Sequence, residues 1–333
     1  MEKIYLSTVT PVYRGANYIR ELVSALDSFQ EELQQTDLPV ELIEAIFVDD
    51  AAVDNSADLL DELRERYAWL RVVHLSRNFG QHAATVAGTL HSSGDWVATL
   101  DEDLQHHPRH LLSLLLHAIS GGTDVVYGAA QSPVHGSIFR NVTSRLFKTW
   151  MSWVAGNPAV RMFTSFRMLR GSVARAACSV SSHDTYFDVV LNWFTNRIGS
   201  VQLPMIDRRS ISGERGGYTL TGLLRHARRM LISSEIRPMR VAAVIGLLAV
   251  GTSIFLSAVT LVLKLVFPEA IDIRGWASLM LAISFFGGLN ALIIGIALEY
   301  ISTLVLHTLG KPTFFVVDRS KDRLLKQFLS GRG

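Results

Sequence analysis

The sequence contains one cysteine, Cys178, among 333 residues, so no disulfide bond can form within the chain. Structural disulfides belong to secreted and extracellular proteins, and this shortage is typical of a reducing compartment. The chain also lacks a large excess of charge of either sign, because its 32 basic and 30 acidic residues leave a net charge of +2. The net charge says little by itself; its distribution along the chain says more. We expect no nucleic acid among the partners of the protein.

Several motifs that carry well-known chemistry are also missing. The chain has no GxGxxG after its first strand and no GxxxxGK[ST], so dehydrogenases and P-loop ATPases are not supported. It has no HExxH, CxxC or GxSxG, which leaves zinc hydrolysis and a serine nucleophile without support. A nucleotide bound by this chain would have to be held by carboxylates and by a metal ion on its diphosphate.

Two long runs lack charged residues altogether. Val241 to Leu263 comprises 23 residues and Gly275 to Leu298 comprises 24, each long enough to cross a hydrocarbon core of about 30 Å. Two buried core helices are the alternative, but a tandem pair after a globular sequence favours membrane spans. Met1 to Tyr5 is short and charged, so we expect no signal peptide.

The charges around these runs predict the orientation of the protein in a membrane. Basic residues cluster before the first run and after the second, whereas the linker 264–274 holds two basic and two acidic residues. The positive-inside rule then places both termini in the cytoplasm. Along 219–240, apolar residues recur with helical spacing and basic residues fall on the opposite face. A basic amphipathic helix directly before a span favours the membrane interface over packing on the domain. The sequence leaves open whether the protein forms a homo-oligomer.

The first 120 residues alternate between apolar strands and helices. The strands are Ile4–Val9, Leu42–Val48, Arg71–Leu75 and Trp96–Leu100. Helices of ten or more residues between them indicate an α/β fold with a mostly parallel sheet and right-handed crossovers. The segments that follow the first, second and fourth strands should therefore meet at one edge of the sheet, where open α/β sheets bind ligands.

The acidic segment after the fourth strand is the strongest candidate for a site. Alternation along an extended chain would direct Asp101 and Asp103 to one side and Glu102 to the other. Together with the Gln105 carbonyl, the two aspartates form an all-oxygen set suited to Mg²⁺ or Mn²⁺. An acidic turn that merely caps the next helix is the alternative. The histidines within 106–110 are expected to be solvated rather than to bind metal.

Four motifs occur in an order that resembles the family-two glycosyltransferases with the GT-A fold. They are Thr10-Pro11-Val12-Tyr13, Val48-Asp49-Asp50 with Asp54 four residues on, Ser76-Arg77-Asn78-Phe79-Gly80-Gln81, and Asp101-x-Asp103-Leu104-Gln105. The two C-terminal spans and the Lys311-Pro312 ending are similar to the polyprenyl-phosphate branch of that family. The resemblance covers nearly the whole chain.

The resemblance assigns roles to individual residues. The nucleotide sugar would contact Pro11, Tyr13, Asp50 and Asp101. The divalent metal would be held by Asp101, Asp103 and Gln105, with Asp101 and Asp103 as the catalytic residues. The acceptor phosphate would be bound by arginines, because guanidinium binds phosphate bidentately. The candidates are Arg140, Arg167, Arg209 and Arg215. For each of them, a solvated surface charge or an ion-pair partner is the alternative. The loop 208–218 is similar to the loop that closes over the donor in this family.

The activity that the resemblance implies is metal-dependent, inverting transfer of one sugar from a nucleotide diphosphate to a polyprenyl phosphate at the cytoplasmic face of a membrane. The expected domains are a catalytic domain 1–218, an amphipathic helix 219–240, a two-helix hairpin 241–309 and a cytoplasmic tail 310–333. A non-catalytic sugar-nucleotide sensor or scaffold is one alternative. A processive polysaccharide synthase is less favoured, since two spans are too few to form a polymer channel.

The chain departs from the family pattern at several positions. Ala51 and Ala52 replace the usual Gly-Ser after the paired aspartates, and Gly15 replaces the acidic residue usual after Pro-x-Tyr. Asp188 stands where relatives often have arginine. The metal motif is intact, so we expect an active enzyme whose sugar pocket is unusual.

Overall fold

The computed structural model describes residues 2–131, 162–182, 185–205, 275–309 and 312–318, with a few isolated residues between 246 and 266. Its centre is a seven-stranded sheet. In chain order the strands are β1 Ile4–Val12, β2 Val40–Asp49, β3 Leu70–His74, β4 Trp96–Thr99, β5 Val125–Ala130, β6 Arg167–Arg170 and β7 Ile198–Leu203. The helices are α1 Ile19–Gln35, α2 Ser56–Arg66, α3 Gln81–Leu90, α4 Leu111–Ser120, α5 Gly171–Val180, α6 Phe187–Phe194 and α7 Trp276–Thr308.

The strands lie in the order β3-β2-β1-β4-β6-β5-β7. β6 is antiparallel to both of its neighbours, and the other pairings are parallel. The α/β fold with a mostly parallel sheet is therefore confirmed. The reversed strand β6 was not anticipated. Its consequence is that the segment just before β6 reaches the same edge of the sheet as the end of β4.

Helices cover both faces of the sheet and supply the core. The buried side of α1 consists of Ile19, Leu22, Val23, Leu26, Phe29 and Leu33, the 3.6-residue spacing of an amphipathic helix. It shares a core cluster with residues of α2 and α4, whereas α3, α5 and α6 pack on the opposite face. Because each crossover returns the chain to the same edge, the loops after β1, β2 and β4 become neighbours.

A short C-terminal segment, 312–318, lies against the edge strand β3. The Ser76 N–H donates to the Phe315 carbonyl at 2.9 Å, and the Val317 N–H donates to the His74 carbonyl at 2.9 Å. Phe314 and Val316 pack on the core of the face that carries α3. The tail predicted to be a cytoplasmic end thus begins as a part of the α/β domain.

His74, beside this segment, makes stability depend on pH. Its Nδ1 lies 2.9 Å from Asp49 Oδ2 and its Nε2 lies 3.3 Å from Asp61 Oδ1. The hydrogen bond to Asp49 is the main cause that raises the pKa of His74 above its usual value, against burial, which lowers it. A raised folded-state pKa stabilises the fold fully below the unfolded pKa of about 6.5, and the stabilisation is lost as pH rises through the folded pKa.

We therefore expect His74→Gln to lower the free energy of unfolding more at pH 6 than at pH 9. Urea unfolding of the full chain in detergent, repeated across this range for both proteins, measures the difference. Equal losses at both pH values would contradict the ion-pair assignment.

α7 is long, apolar and exposed. Its segment Phe285–Ser302 has a mean hydropathy of 1.6 over 18 residues, and none of the segment is buried. A core helix of that composition would be covered by other elements. The exposure of this apolar surface therefore favours a helix that lies in a lipid bilayer. That α7 spans a membrane stays a prediction. The first predicted span and the amphipathic helix 219–240 lie outside the described residues, apart from a few isolated positions within 246–263.

Candidate functional site

An open cleft of about 420 Å³ lies at the carboxyl edge of the central strands. Its walls come from the loops after β1, β2, β3 and β4. The residues that line it are Pro11, Val12, Tyr13, Asp50, Asn78, Gly80, Gln81, Asp101, Glu102 and Asp103. The structure therefore brings together Pro11, Tyr13, Asp50, Asp101 and Asp103, which the sequence had placed in one site.

Asp50 holds the turn that follows β3. Its Oδ1 accepts the Phe79 N–H at 2.7 Å and its Oδ2 accepts the Gly80 N–H at 2.8 Å. Gly80 has a φ of 92°, a conformation that glycine adopts without steric cost. Burial raises the pKa of Asp50 above its usual value, although the two backbone hydrogen bonds oppose the shift. The same carboxylate thus shapes the cleft and lines it.

The turn after Asp50 carries backbone strain. Ala51 has a φ of 51°, a left-handed conformation that costs about 1–2 kcal/mol for a residue with a Cβ atom. It occupies the position where the family usually has glycine. Leu104, beside the acidic segment, also has a positive φ of 61°. Both loops that supply carboxylates to the cleft are therefore held in unfavourable conformations by the surrounding fold.

We expect Ala51→Gly to raise the free energy of unfolding by up to about 1 kcal/mol, because strain relief outweighs the entropy that glycine gains in the unfolded chain. Urea unfolding of wild type and variant in the same detergent measures this. The matched control is Ala25→Gly in α1, where glycine should destabilise by roughly 0.5–1 kcal/mol. Destabilisation in both variants would contradict the strained conformation at Ala51.

Asp101 is fixed by two side chains that sequence reasoning did not assign. Its Oδ1 accepts Gln81 Nε2–H at 2.7 Å, and its Oδ2 accepts Ser165 Oγ–H at 2.8 Å. Gln81 begins α3, and its place just after the third strand was a usable signal. Ser165 gave none, because it reaches Asp101 through the reversed strand β6.

His106 differs from the expected solvated histidine. It is 5% exposed, and its ring stacks on Phe166 with centroids 4.8 Å apart. Its Nδ1 accepts the Asp101 N–H at 3.1 Å. Apolar stacking and one backbone hydrogen bond are enough to hold an imidazole in a core. His106 thus links the backbone of the acidic segment to the core at Phe166.

The acidic segment is a turn rather than a strand, since β4 ends at Thr99. Strand alternation therefore does not explain how its side chains point. Asp103, 8% exposed, accepts the Gln105 N–H at 3.1 Å, while the Gln105 side chain is not among those lining the cleft. Within the described residues, no group of three or more His, Cys, Asp or Glu side chains has the arrangement of a metal site.

A divalent cation nevertheless fits this chemistry. Mg²⁺ in phosphate-handling sites is commonly held by one or two carboxylates, with waters and substrate phosphates as the remaining ligands. Asp101 and Asp103 face one cleft and supply hard oxygen donors. The protein would thus contribute two carboxylates, and a diphosphate would complete the coordination shell.

Arg167 is not placed to bind an acceptor phosphate. It is 5% exposed, and its Nε and Nη2 donate to the two carboxylate oxygens of Asp188 at 2.5 and 2.7 Å. Tyr127 Oη–H donates to the same carboxylate at 2.9 Å. This buried pair corrects the sequence-based role of Arg167, because its guanidinium is already bound within the core. Arg140, Arg209 and Arg215 lie outside the described residues.

Several known proteins are similar in sequence to this chain over most of its length. The undecaprenyl-phosphate 4-deoxy-4-formamido-L-arabinose transferase of Edwardsiella ictaluri is 27% identical over 317 residues, which cover 94% of this chain and 93% of that protein. The protein of the same name from Pseudomonas aeruginosa strain LESB58 is 28% identical over 312 residues, 93% of this chain and 89% of that one.

Similar solved structures include mannosyl-3-phosphoglycerate synthase from Rubrobacter xylanophilus, with a TM-score of 0.49 and 15% identity over 70% of this chain and 74% of that one. Glucosyl-3-phosphoglycerate synthase from Mycobacterium tuberculosis, crystallised with Mn²⁺, UDP and phosphoglyceric acid, has a TM-score of 0.45 and 17% identity over 70% and 78% of the two chains.

The family model named Glycosyl transferase family 2 matches residues 7–175. This range begins in β1 and ends in α5, so it includes every loop that lines the cleft. It also accounts for more than half of the 333 residues. The motifs, the α/β sheet and this match agree, and the chain belongs to glycosyl transferase family 2.

Proposed function

We propose that the protein transfers one sugar from a nucleotide diphosphate donor to a polyprenyl phosphate at the cytoplasmic face of a membrane. The convergence of Pro11, Tyr13, Asp50, Asp101 and Asp103 on one cleft carries the donor half of the proposal. Relatives named as undecaprenyl-phosphate transferases, aligned over more than nine-tenths of this chain, support the acceptor half. The exposed apolar helix α7 suits a protein whose acceptor is a lipid.

Within the cleft, each loop has a part in holding the donor. The loop after β1, with Pro11 and Tyr13, and the carboxylate of Asp50 would bind the nucleoside. Asp101 and Asp103 would hold Mg²⁺ or Mn²⁺, which when bound neutralises charge on the leaving diphosphate. Gln81 and Ser165 keep the Asp101 carboxylate in a single orientation, which reduces the reorganisation needed when the donor binds.

The reaction would be a single displacement with inversion. A phosphate oxygen of the acceptor forms a bond to the anomeric carbon while the bond from that carbon to the donor diphosphate breaks, and its electron pair leaves with the nucleoside diphosphate. The acceptor phosphate is anionic at pH 7, so no side chain has to remove a proton from it. Arg140, Arg209 and Arg215 remain the proposed acceptor-binding residues.

The proposed arrangement of the chain follows from this chemistry. Residues 1–218 form the catalytic domain, 219–240 lie along the membrane surface, and 241–309 form a hairpin across it. Both termini are then cytoplasmic, which keeps the cleft on the side where nucleotide sugars occur. The segment 312–318 returns to β3, so the end of the hairpin is tied to the same domain.

The test is transfer of label from a panel of nucleotide sugars, including that of 4-deoxy-4-formamido-L-arabinose, to undecaprenyl phosphate in detergent. Mg²⁺ and Mn²⁺ are compared with a chelator. Label that becomes extractable into chloroform only with a divalent cation would support the proposal and name the sugar. A donor that binds without any lipid-linked product would replace it with the sensor or scaffold function.

A further inference from the structure

Glu102 lies between the two aspartates of the acidic segment but serves a different loop. Its Oε2 accepts the Tyr13 N–H at 2.9 Å, and both carboxylate oxygens lie within 3.4 Å of the Arg14 backbone nitrogen. The residue is 8% exposed. A carboxylate this buried costs free energy unless donors surround it, and here the donors are main-chain amides of the loop after β1.

The next two amides of that loop are also held by side chains. The Gly15 N–H donates to Ser56 Oγ at 3.1 Å, and the Ala16 N–H donates to Asp54 Oδ2 at 3.1 Å. Four consecutive amides, from Tyr13 to Ala16, therefore bond to side chains supplied by the loops after β2 and β4 and by the first residue of α2. A loop without its own ladder of backbone hydrogen bonds takes its shape from such contacts.

Gly15 is the position that makes room for Glu102. A Cβ atom on Gly15 would lie 2.9 Å from Glu102 Oε2 and 3.2 Å from side-chain atoms of Ile19. Gly15 does not have a positive φ, so its backbone conformation does not exclude a side chain; with Glu102 shortened, only the flexible Ile19 side chain would have to shift. The family usually carries an acidic residue at this point of the loop. In this chain the carboxylate reaches the same place from the acidic segment.

We infer that Glu102 is a positioning residue that sets the geometry of the donor-binding loop and couples it to the proposed metal-binding carboxylates. The inference rests on the proposed function, because it assigns Pro11 and Tyr13 to the donor. Glu102 also lines the cleft, but its carboxylate oxygens are engaged by the amides of the loop after β1. Its two neighbours, Asp101 and Asp103, face the cleft, so a single turn aligns the nucleoside-binding loop with the site of the diphosphate.

Removal of the carboxylate leaves two amides of the loop without their acceptor, and the loop then samples other conformations. We expect Glu102→Ala to raise the KM for the donor about tenfold or more, with a smaller fall in kcat, because donor binding must then also order the loop. Loss of one hydrogen bond to a charged group changes such an ordering equilibrium by about that factor. Glu102→Gln keeps one carbonyl acceptor and a similar volume, so its effect should be intermediate. Glu32→Ala, on the exposed side of α1, is the matched control.

The exchange of backbone amides tests the contact without any donor. In the full chain in detergent, hydrogen exchange of the peptide containing Tyr13 and Arg14 should accelerate about tenfold in Glu102→Ala and stay unchanged in Glu32→Ala. An unchanged exchange rate in Glu102→Ala would overturn the inference. Faster exchange with an unaltered donor KM would reduce Glu102 to a structural role and would overturn it as well.

The decisive experiment moves the carboxylate from position 102 to position 15. Gly15→Glu alone should clash with Glu102 and impair donor binding, whereas Gly15→Glu combined with Glu102→Ala should restore a KM within about threefold of wild type, as expected for coupled sites. Additive losses in the double variant would overturn the inference. A wild type that transfers no sugar from any donor would instead overturn the proposed function itself, a result that the exchange data keep separate.

Discussion

Asp103→Ala is expected to lower the rate of sugar transfer by about 10²–10³-fold, the usual effect of removing a group that stabilises charge in the transition state. The donor should still bind, because Pro11, Tyr13 and Asp50 are untouched. Asp103 lies on the cleft beside Asp101, and its small exposed surface faces the position proposed for the diphosphate. The measurement is initial rate of lipid-linked product at saturating donor and acceptor.

The cation dependence separates loss of a metal ligand from a change in folding. Asp103→Asn should require a higher concentration of Mg²⁺ or Mn²⁺ for half-maximal rate, because an amide oxygen is a weaker ligand than a carboxylate. Asp37→Ala is the control, since Asp37 is exposed in the turn between α1 and β2 at the opposite edge of the sheet. A cation requirement equal to that of wild type would contradict the proposed role of Asp103.

The convergence of the loops was predictable because it depends on periodicity and on the handedness of crossovers, which are local rules. Apolar strands alternate with helices from residue 4 onward, so the segments after β1, β2 and β4 must meet at one edge. The family motifs added the assignments. Asp50 and Asp101 accordingly lie where the sequence had placed them.

The contacts that hold these residues were not predictable, because each depends on partners far apart in the chain. Ser165 reaches Asp101 from 64 positions away, across the reversed strand β6. Glu102 bonds to Tyr13 over 89 positions, and no rule of residue spacing selects that pair. The left-handed Ala51 contradicts its own local preference, so only the fold around it reveals the conformation.

Arg167 shows most clearly how composition can mislead. An arginine near a predicted phosphate site suggests a role in binding phosphate, although the apolar neighbours Phe166 and Met168 are compatible with a buried strand. The partner that defines it, Asp188, is 21 positions away at the start of α6. A carboxylate at that position, where the family often has arginine, is what allows the guanidinium to be buried. The stability of the domain should therefore respond strongly to either residue.

Asp188→Ala is expected to lower the free energy of unfolding by about 3–5 kcal/mol, because it leaves the guanidinium of Arg167 buried without a counter-charge. For a domain of this size that loss corresponds to a fall in Tm of roughly 6–20 °C. The control is Glu41→Ala, which breaks an exposed pair with Lys3 and should cost less than about 1 kcal/mol. Urea unfolding of the full chain in detergent, followed by tryptophan fluorescence, measures both.

Replacing both partners distinguishes the buried pair from an acceptor-binding arginine. Arg167→Leu combined with Asp188→Leu removes both charges together, so stability should recover the part of the loss in Asp188→Ala that comes from the unpaired charge, while the buried Tyr127 hydroxyl stays without its acceptor. Transfer need not recover equally, because Arg167 Nη1 also donates to the Ser165 carbonyl at 3.3 Å, and Ser165 orients Asp101. If Arg167 bound the acceptor instead, Arg167→Leu alone would raise the KM for polyprenyl phosphate and leave stability almost unchanged. A large loss of stability in either single variant, relieved in the double variant, is the result that the buried geometry requires.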